Sequence, residues 1–475
     1  MTTLLLLILF AGLAVSLLND DWKSGFFWTI AIGFCQDPIR KLTLGQPTFM
    51  VGLVLIAFLA CSLFIYQERG KLDLKYIFWT SPQLLDVIPY FVVLLLAQAV
   101  NSFMRFGSPS LVAIGLSFYI APAIALWVGF HVGRDLSLLR RILIFYIILS
   151  SIFAFTVLLD FRGVDIPVFE EVGTGILITF EGGSKSGASG FWRTSEIASW
   201  HLAAAACFSI ILTFSDRDVG WQILYISIAV IFSVLSVTTG RRKSQVLIVA
   251  FLGIYLLIFS RLSSPASRER VIMSVLGGVG LSFAVVSMFL LDLLGSNFEI
   301  FLSRSSTSTN ELGDRLQSQG LTAFMKGFQV GGGLGLGLGA GSNLGNFDAG
   351  VNRAAIRSLG FVAEGGGGRL IVELGIPGIL MIGWILLGSL QMLWRNFRLI
   401  RFLPSEEIAL VAGTLSFGLA NIVIFFSAAQ LYSDPFILIM LGFSVGSMLA
   451  VPVLVYGRLQ LQKSNPSFLA RGGVS

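Results

Sequence analysis

Three adjacent cations, Arg241-Arg242-Lys243, stand in a short turn between two apolar stretches, preceded by Thr239-Gly240 and followed by Ser244. Arginine suits phosphate because its planar fork meets two oxygens with paired hydrogen bonds. A turn of this kind at a membrane surface reads as an anion site. The plainer alternative is a misplaced span boundary, or a trio of side chains whose heads snorkel to lipid headgroups. A second segment that can join it is Gly190-Phe191-Trp192-Arg193-Thr194-Ser195-Glu196, which leads into a helix carrying Trp200 and His201. Ser195 and Glu196 suit a helix N-terminus. An intramembrane histidine such as His201 is a functional candidate, or else a hydrogen-bonding link to a neighbouring helix. His131, beside Gly133-Arg134, reads as interfacial.

The glycine run Gly331 to Gly341 resembles a nucleotide loop only superficially. It has no Gly-Lys-Ser/Thr ending and no strand–helix unit around it. It reads as a tight turn against a ligand or the bilayer, or as a flexible linker. No His, Cys, Asp or Glu set has metal-ligand spacing, and no Gly-x-Ser-x-Gly signature is evident. The three cysteines, Cys35, Cys61 and Cys207, lie in apolar segments and suggest no disulfide framework.

The elements that position these residues follow from composition. The chain is 55% hydrophobic and only 12% charged, about half the charged share of a soluble domain. That describes a polytopic membrane protein, and the formal charge of +6 fits basic cytoplasmic loops better than nucleic-acid binding. Apolar runs of spanning length, about 17–25 residues, fall near 3–18, 48–66, 85–104, 110–133, 141–159, 196–214, 221–239, 244–260, 271–294, 370–393, 407–427 and 435–456. A shorter run at 25–35, ending in Gln36-Asp37-Pro38, crosses partly or fully. The expectation is an all-α chain of about 12 or 13 transmembrane helices. It forms one integral membrane domain over 1–475, with a long outer-face loop at 295–369. The continuous runs argue against a β-barrel.

Sidedness follows from short basic loops. Those holding Arg134, Arg140 and Arg141, Asp216-Arg217-Asp218, Arg261, Arg268 and Arg270, and Arg395, Arg398 and Arg401 fall on one side, with the C-terminal tail. That side is expected to be the cytoplasm. The opposite face receives the loop 160–195, the turn Thr238 to Ser244, the loop 295–369 and the turn Gln430 to Asp434.

Four features in order resemble the O-antigen ligases and O-antigen or exopolysaccharide polymerases of bacterial envelopes. They are Gly240-Arg241 closing a span, Arg315 in Gly313-Asp314-Arg315-Leu316 opening a long loop, the glycine-rich segment from Phe324 to Gly341, and Glu373-Leu374-Gly375-Ile376-Pro377-Gly378. The resemblance covers about 190–395. Where that family commonly has His-Asn, nine residues before the Glu, this chain has Glu364-Gly365, and the family's Pro before the loop glycines is absent.

The resemblance implies a helical membrane fold of glycosyltransferase type C, second class. It implies a metal-independent enzyme without cofactor, in the cytoplasmic (inner) membrane. Its donor would be an oligosaccharide on a polyprenyl diphosphate, its acceptor a glycan or lipid, and its partners other polysaccharide-assembly proteins. Arg241, Arg242 and Arg315 would bind diphosphate, with Arg193 and Arg369 in support; Glu364, with Arg315, would serve catalysis as the group that orients or deprotonates the acceptor. Arg369 also stands four residues before Glu373, at pairing distance on one helix face. Glu364 can equally pair with Arg369 or cap the entering helix. The competing classes are a flippase for lipid-linked oligosaccharide and a non-catalytic subunit of an envelope complex.

Overall fold

The structure is a computed structural model that describes residues 2–69, 74–172, 177–180, 183–262, 269, 316–342, 365–427 and 429–464. The expected span 271–294, Arg315 and Glu364 lie outside the described residues. The helices are α1 (Thr2–Leu18), α2 (Trp22–Leu42), α3 (Leu53–Arg69), α4 (Leu74–Ile77), α5 (Gln83–Phe106), α6 (Pro109–Gly133), α7 (Leu136–Phe161), α8 (Ser195–Ser215), α9 (Val219–Thr238) and α10 (Arg242–Leu262). They continue as α11 (Ala323–Gly331), α12 (Gly366–Ile400), α13 (Ser405–Ser427), α14 (Pro435–Leu449) and α15 (Val451–Ser464). Among the described residues ten helices are long and apolar enough to cross a membrane. The expected helical membrane architecture is therefore observed, apart from one short antiparallel hairpin. Its strands, β1 (Leu177–Phe180) and β2 (Gly183–Ser186), pair with Leu177 opposite Ser186.

Helix α2 resolves the ambiguous run at 25–35. Its charged last turn makes it too polar to read as a span, yet at 21 residues it is about 31 Å long. Lys23 near its start pairs with Asp135, before α7. Asp37 near its end pairs with Arg193, before α8. The helix thus runs the length of the bundle. Among the described residues, loops expected on one face do gather at one end. Arg140 pairs with Asp216, Arg217 with Glu406, and Arg458 with Glu407.

Helix α8 is the centre, buried along its whole length. Its small residues, among them Ala203 to Ala206 and Ser209, let α7, α9, α10 and α13 approach closely. Close approach is what drives helix association where lipid is as apolar as leucine. The tightest contact is α6 on α14. There Gly129 and Gly133 face the backbone of Phe443 and Ser447, and Gly442 and Gly446 face that of Pro122 and Leu126. A side chain at any of the four would collide with the opposite helix.

Helix α12 is broken. Gly375 takes φ +67° and ψ −166° inside it, just before Pro377. The segment Gly332 to Ser342 packs into the break. Leu336 N donates to Val372 O (2.7 Å), and Ile376 N donates to Gly333 O (3.0 Å). Gln98 Nε2 on α5 donates to Leu334 O (2.7 Å), and Ser102 Oγ to Leu338 O (2.7 Å). The glycine run is therefore a fixed loop, and the linker reading does not hold. Its glycines exist for proximity: a Cβ on Gly337, at φ +105°, would lie 2.5 Å from Ser102 N. Irregular backbone among apolar helices survives only where other protein groups satisfy it, and here α5 and α12 do so.

Candidate functional site

The site is built at the end of the bundle opposite the basic loops. Its frame is the guanidinium of Arg193. Nη1 lies 3.1 Å from Asp37 Oδ1 at the end of α2 and 2.5 Å from Asp434 Oδ2 at the start of α14. The backbone N–H of Arg193 donates to the other Asp37 oxygen at 3.1 Å. Asp434 also caps α14 by accepting from Phe436 N and Ile437 N. Burial works against the Arg193 charge, but Asp434 and Asp37 outweigh it and raise the guanidinium further above its ordinary value. With its fork held by two carboxylates, Arg193 ties three elements together.

The turn that opens α10 sits against the start of α8. Thr194, not Ser195 or Glu196, is the N-cap, its hydroxyl accepting from Ile197 N at 3.3 Å. That frees Ser195, whose hydroxyl accepts from Arg241 Nε at 3.1 Å. Lys243 Nζ pairs with Glu196 Oε1 at 2.8 Å. Ala188 N donates to Thr238 O at 3.3 Å and fastens the 160–195 connection to the end of α9. Arg242 opens α10 beside them.

The last turn of α2 adds two cations. Lys41 Nζ donates to Gly190 O (2.8 Å) and Ser189 Oγ (3.3 Å), and Arg40 Nε donates to Gln46 O (3.1 Å). Ser189 N and Gly190 N donate in turn to Asp160 Oδ2 at 2.7 and 2.8 Å. Glu171 completes the ring: it accepts from Ser195 N at 2.5 Å, and the charges of Arg241 and Lys41 act on it. Burial nonetheless pushes its carboxyl above the usual carboxylate range.

Arg369 is fully buried in a second cluster. Its Nε meets Glu373 Oε1 at 3.2 Å, as the four-residue spacing implies, and its Nη1 donates to Ser433 Oγ at 2.8 Å. The guanidinium carbon sits 3.8 Å from the centre of the Phe118 ring. Tyr119 donates to the other Glu373 oxygen at 2.8 Å. Gly341 packs against Arg369, since a Cβ there would lie 2.7 Å from Arg369 Cγ. Ser433 adjoins Asp434, so Arg369 and Arg193 grip neighbouring residues of one turn.

Of the residues singled out in the sequence, Arg193, Arg241, Arg242 and Arg369 all fall at this end. His201 is buried, stacked on Trp192 at 5.6 Å and 8°, with Nδ1 2.6 Å from Tyr146 OH. It serves as a helix-to-helix link. His131, in the last turn of α6, is also buried, against Trp127 and Phe130. The residues that sequence reading overlooked are Asp37, Arg40, Lys41 and Glu171. The signal for the first three was available: charges four or fewer residues apart at the end of an apolar run mark a face turned to protein or water. Among the described residues no group of three or more His, Cys, Asp or Glu side chains gathers as metal ligands do. Compared with known proteins, the chain matches no family model and no curated protein.

Proposed function

We propose that this chain transfers a glycan from a polyprenyl diphosphate to a hydroxyl of an acceptor glycan or lipid, at the outer face of the cytoplasmic membrane, as a polymerase or ligase of cell-surface polysaccharide. The observation that supports this most is the meeting of Arg241, Lys41 and Glu171 around Ser195 and Gly190, at one end of an apolar bundle. A lipid-linked diphosphate has its charge at the membrane surface and its tail in the bilayer, which is where such a cluster would meet it. When the bond between the sugar and the diphosphate breaks, negative charge grows on the leaving oxygen. Fixed guanidinium donors stabilise that charge without reorganising. In this reading Arg241, Arg242 and Arg315 hold the diphosphate, while Arg193 is a strut that keeps α2, α8 and α14 in place. The site end would face outward and α15 the cytoplasm.

The test is transfer by the purified full chain in proteoliposomes, supplied with polyprenyl-diphosphate-linked oligosaccharides. Arg241→Lys keeps the charge and loses the paired geometry, so transfer is expected to fall about 100-fold, the scale of one transition-state donor. No transfer by the unaltered chain from any such donor would overturn the reading. Sidedness is tested with single cysteines at Leu44, fully exposed at the site end, and at Asp218 at the other end. An impermeant thiol reagent should label the first alone in intact cells.

A second reading, a flippase, draws on the break in α12, because interrupted helices line substrate paths in transporters. The two separate in cells lacking the chain. Lipid-linked units left on the outer leaflet favour the transferase, and units left on the cytoplasmic leaflet favour the flippase.

A further inference from the structure

Several carboxylates stand at this end of the bundle, and most are committed to cations. Asp37 and Asp434 hold Arg193, Glu196 holds Lys243, and Glu373 is shared between Arg369 and Tyr119. A carboxylate whose oxygens are held by a cation is poorly placed to meet an acceptor hydroxyl. One Asp160 oxygen is occupied by two backbone N–H groups. Glu171 differs. Its hydrogen bonds come from neutral donors, Ser195 N at 2.5 Å and Ser186 Oγ at 3.4 Å. It stands half-buried on a connection rather than inside the bundle. It also stands one residue's hydroxyl away from the guanidinium proposed to hold the diphosphate, since Ser195 bridges the two.

Building on the glycosyl-transfer reading, we infer that Glu171 is the group that removes the proton from the acceptor hydroxyl. The step balances without a co-reactant. The acceptor oxygen forms its bond to the anomeric carbon. The bond from that carbon to the diphosphate oxygen breaks, and the electron pair leaves with the diphosphate beside Arg241. The acceptor's proton passes to the Glu171 carboxylate and then to water. Sequence reading gives this task to Glu364, so the two glutamates are direct rivals. Burial raises the Glu171 carboxyl, against opposition from Ser195, Arg241 and Lys41. The charged or titratable groups that face it are Lys41 from α2 and Arg241 from the turn before α10, with Glu170 adjacent in sequence.

The discriminating variant is Glu171→Gln. Its amide oxygen still accepts from Ser195 N, so the start of α8 is preserved, but it cannot take a proton. In proteoliposomes, transfer should fall about 10²- to 10⁴-fold, the usual contribution of acid–base catalysis. Binding of polyprenyl diphosphate should be unchanged, and Glu171→Asp should restore part of the rate. The unaltered chain should lose rate as the medium is acidified, with a midpoint above the ordinary glutamate value of about 4.3, and this limb should vanish in residual Glu171→Gln activity. A Gln variant with full transfer, or with the acid limb intact, overturns the assignment while leaving the transferase reading standing. A Gln variant that loses diphosphate binding together with transfer also overturns it, because Glu171 would then be a structural brace. If the unaltered chain transfers nothing, the transferase reading falls and this assignment with it.

Discussion

The two ends of the bundle both carry arginine, lysine and carboxylates, and they use them differently. At the basic-loop end Lys23, Arg140, Arg217 and Arg458 meet carboxylates, near the surface in Lys23–Asp135, with side chains 44% and 37% exposed. At the other end Arg193, Arg369, Asp37, Asp434 and Glu373 are withdrawn from solvent, while Arg40 and Lys41 hydrogen-bond neutral oxygens. Surface pairs exchange one solvated state for another and contribute little. Buried pairs have lost their water, and each partner depends on the other. One end is stitched together and the other is preorganised. Only the second kind of arrangement can hold donors aimed at a charge that arrives later.

The comparison is tested most severely at Arg193. Arg193→Ala leaves Asp37 and Asp434 buried without their cation, and a broken buried pair costs about 3–5 kcal/mol. Equilibrium unfolding in mixed micelles should show a loss of that size. Neutralising the whole cluster, as Arg193→Met with Asp37→Asn and Asp434→Asn, should recover most of it, because Asn can still cap α14. A single variant with native stability would mean that the three groups are solvated and the two ends are alike.

A smaller effect is expected from the broken helix. Gly375 holds a backbone region essentially closed to other residues, and a Cβ there would lie 2.7 Å from both Gly333 O and Gly335 N. Gly375→Ala should cost about 1–3 kcal/mol, with faster hydrogen exchange over residues 332–342 as the loop is pushed from the break. Gly383→Ala is the control, on the same helix with open space around it. There the substitution should be neutral or slightly stabilising, since alanine is the better helix former. Equal behaviour of the two variants would show that the loop does not depend on the break.

What the sequence discloses about this molecule is mostly what one helix can encode. Span positions follow from apolar run length, and the Arg369–Glu373 pair follows from a spacing of four. The contacts that build the site are of another kind. Arg193 meets Asp37 across 156 positions and Arg241 meets Ser195 across 46, and no local period announces either. The glycine run shows the limit most clearly. Composition admits both a linker and a tight turn, and only the approach of α5, α6 and α12 selects between them. Helix α2 was ambiguous for the opposite reason. Asp37, Arg40 and Lys41 lower its hydropathy, and burial against the connection before α8 is what lets the helix end in three charges.

The smallest effect is predicted at the stitched end. Lys23→Ala removes one partner of an exposed pair and leaves Asp135 free to keep capping α7 through Leu138 N at 3.1 Å. The pair itself should be worth no more than about 1 kcal/mol, because both charges remain hydrated and the long lysine chain loses entropy when it is held. Screening supplies the sharper measurement. Raising ionic strength from 0.01 to 1 M shortens the Debye length from about 30 to 3 Å. The stability difference between the unaltered chain and Lys23→Ala should shrink over that range. The loss on Arg193→Ala should stay nearly constant, since ions do not enter the space between Asp37 and Asp434. If both losses shrink alike, the Arg193 cluster is open to solvent, and the case for a preorganised end at the head of α8 loses its foundation.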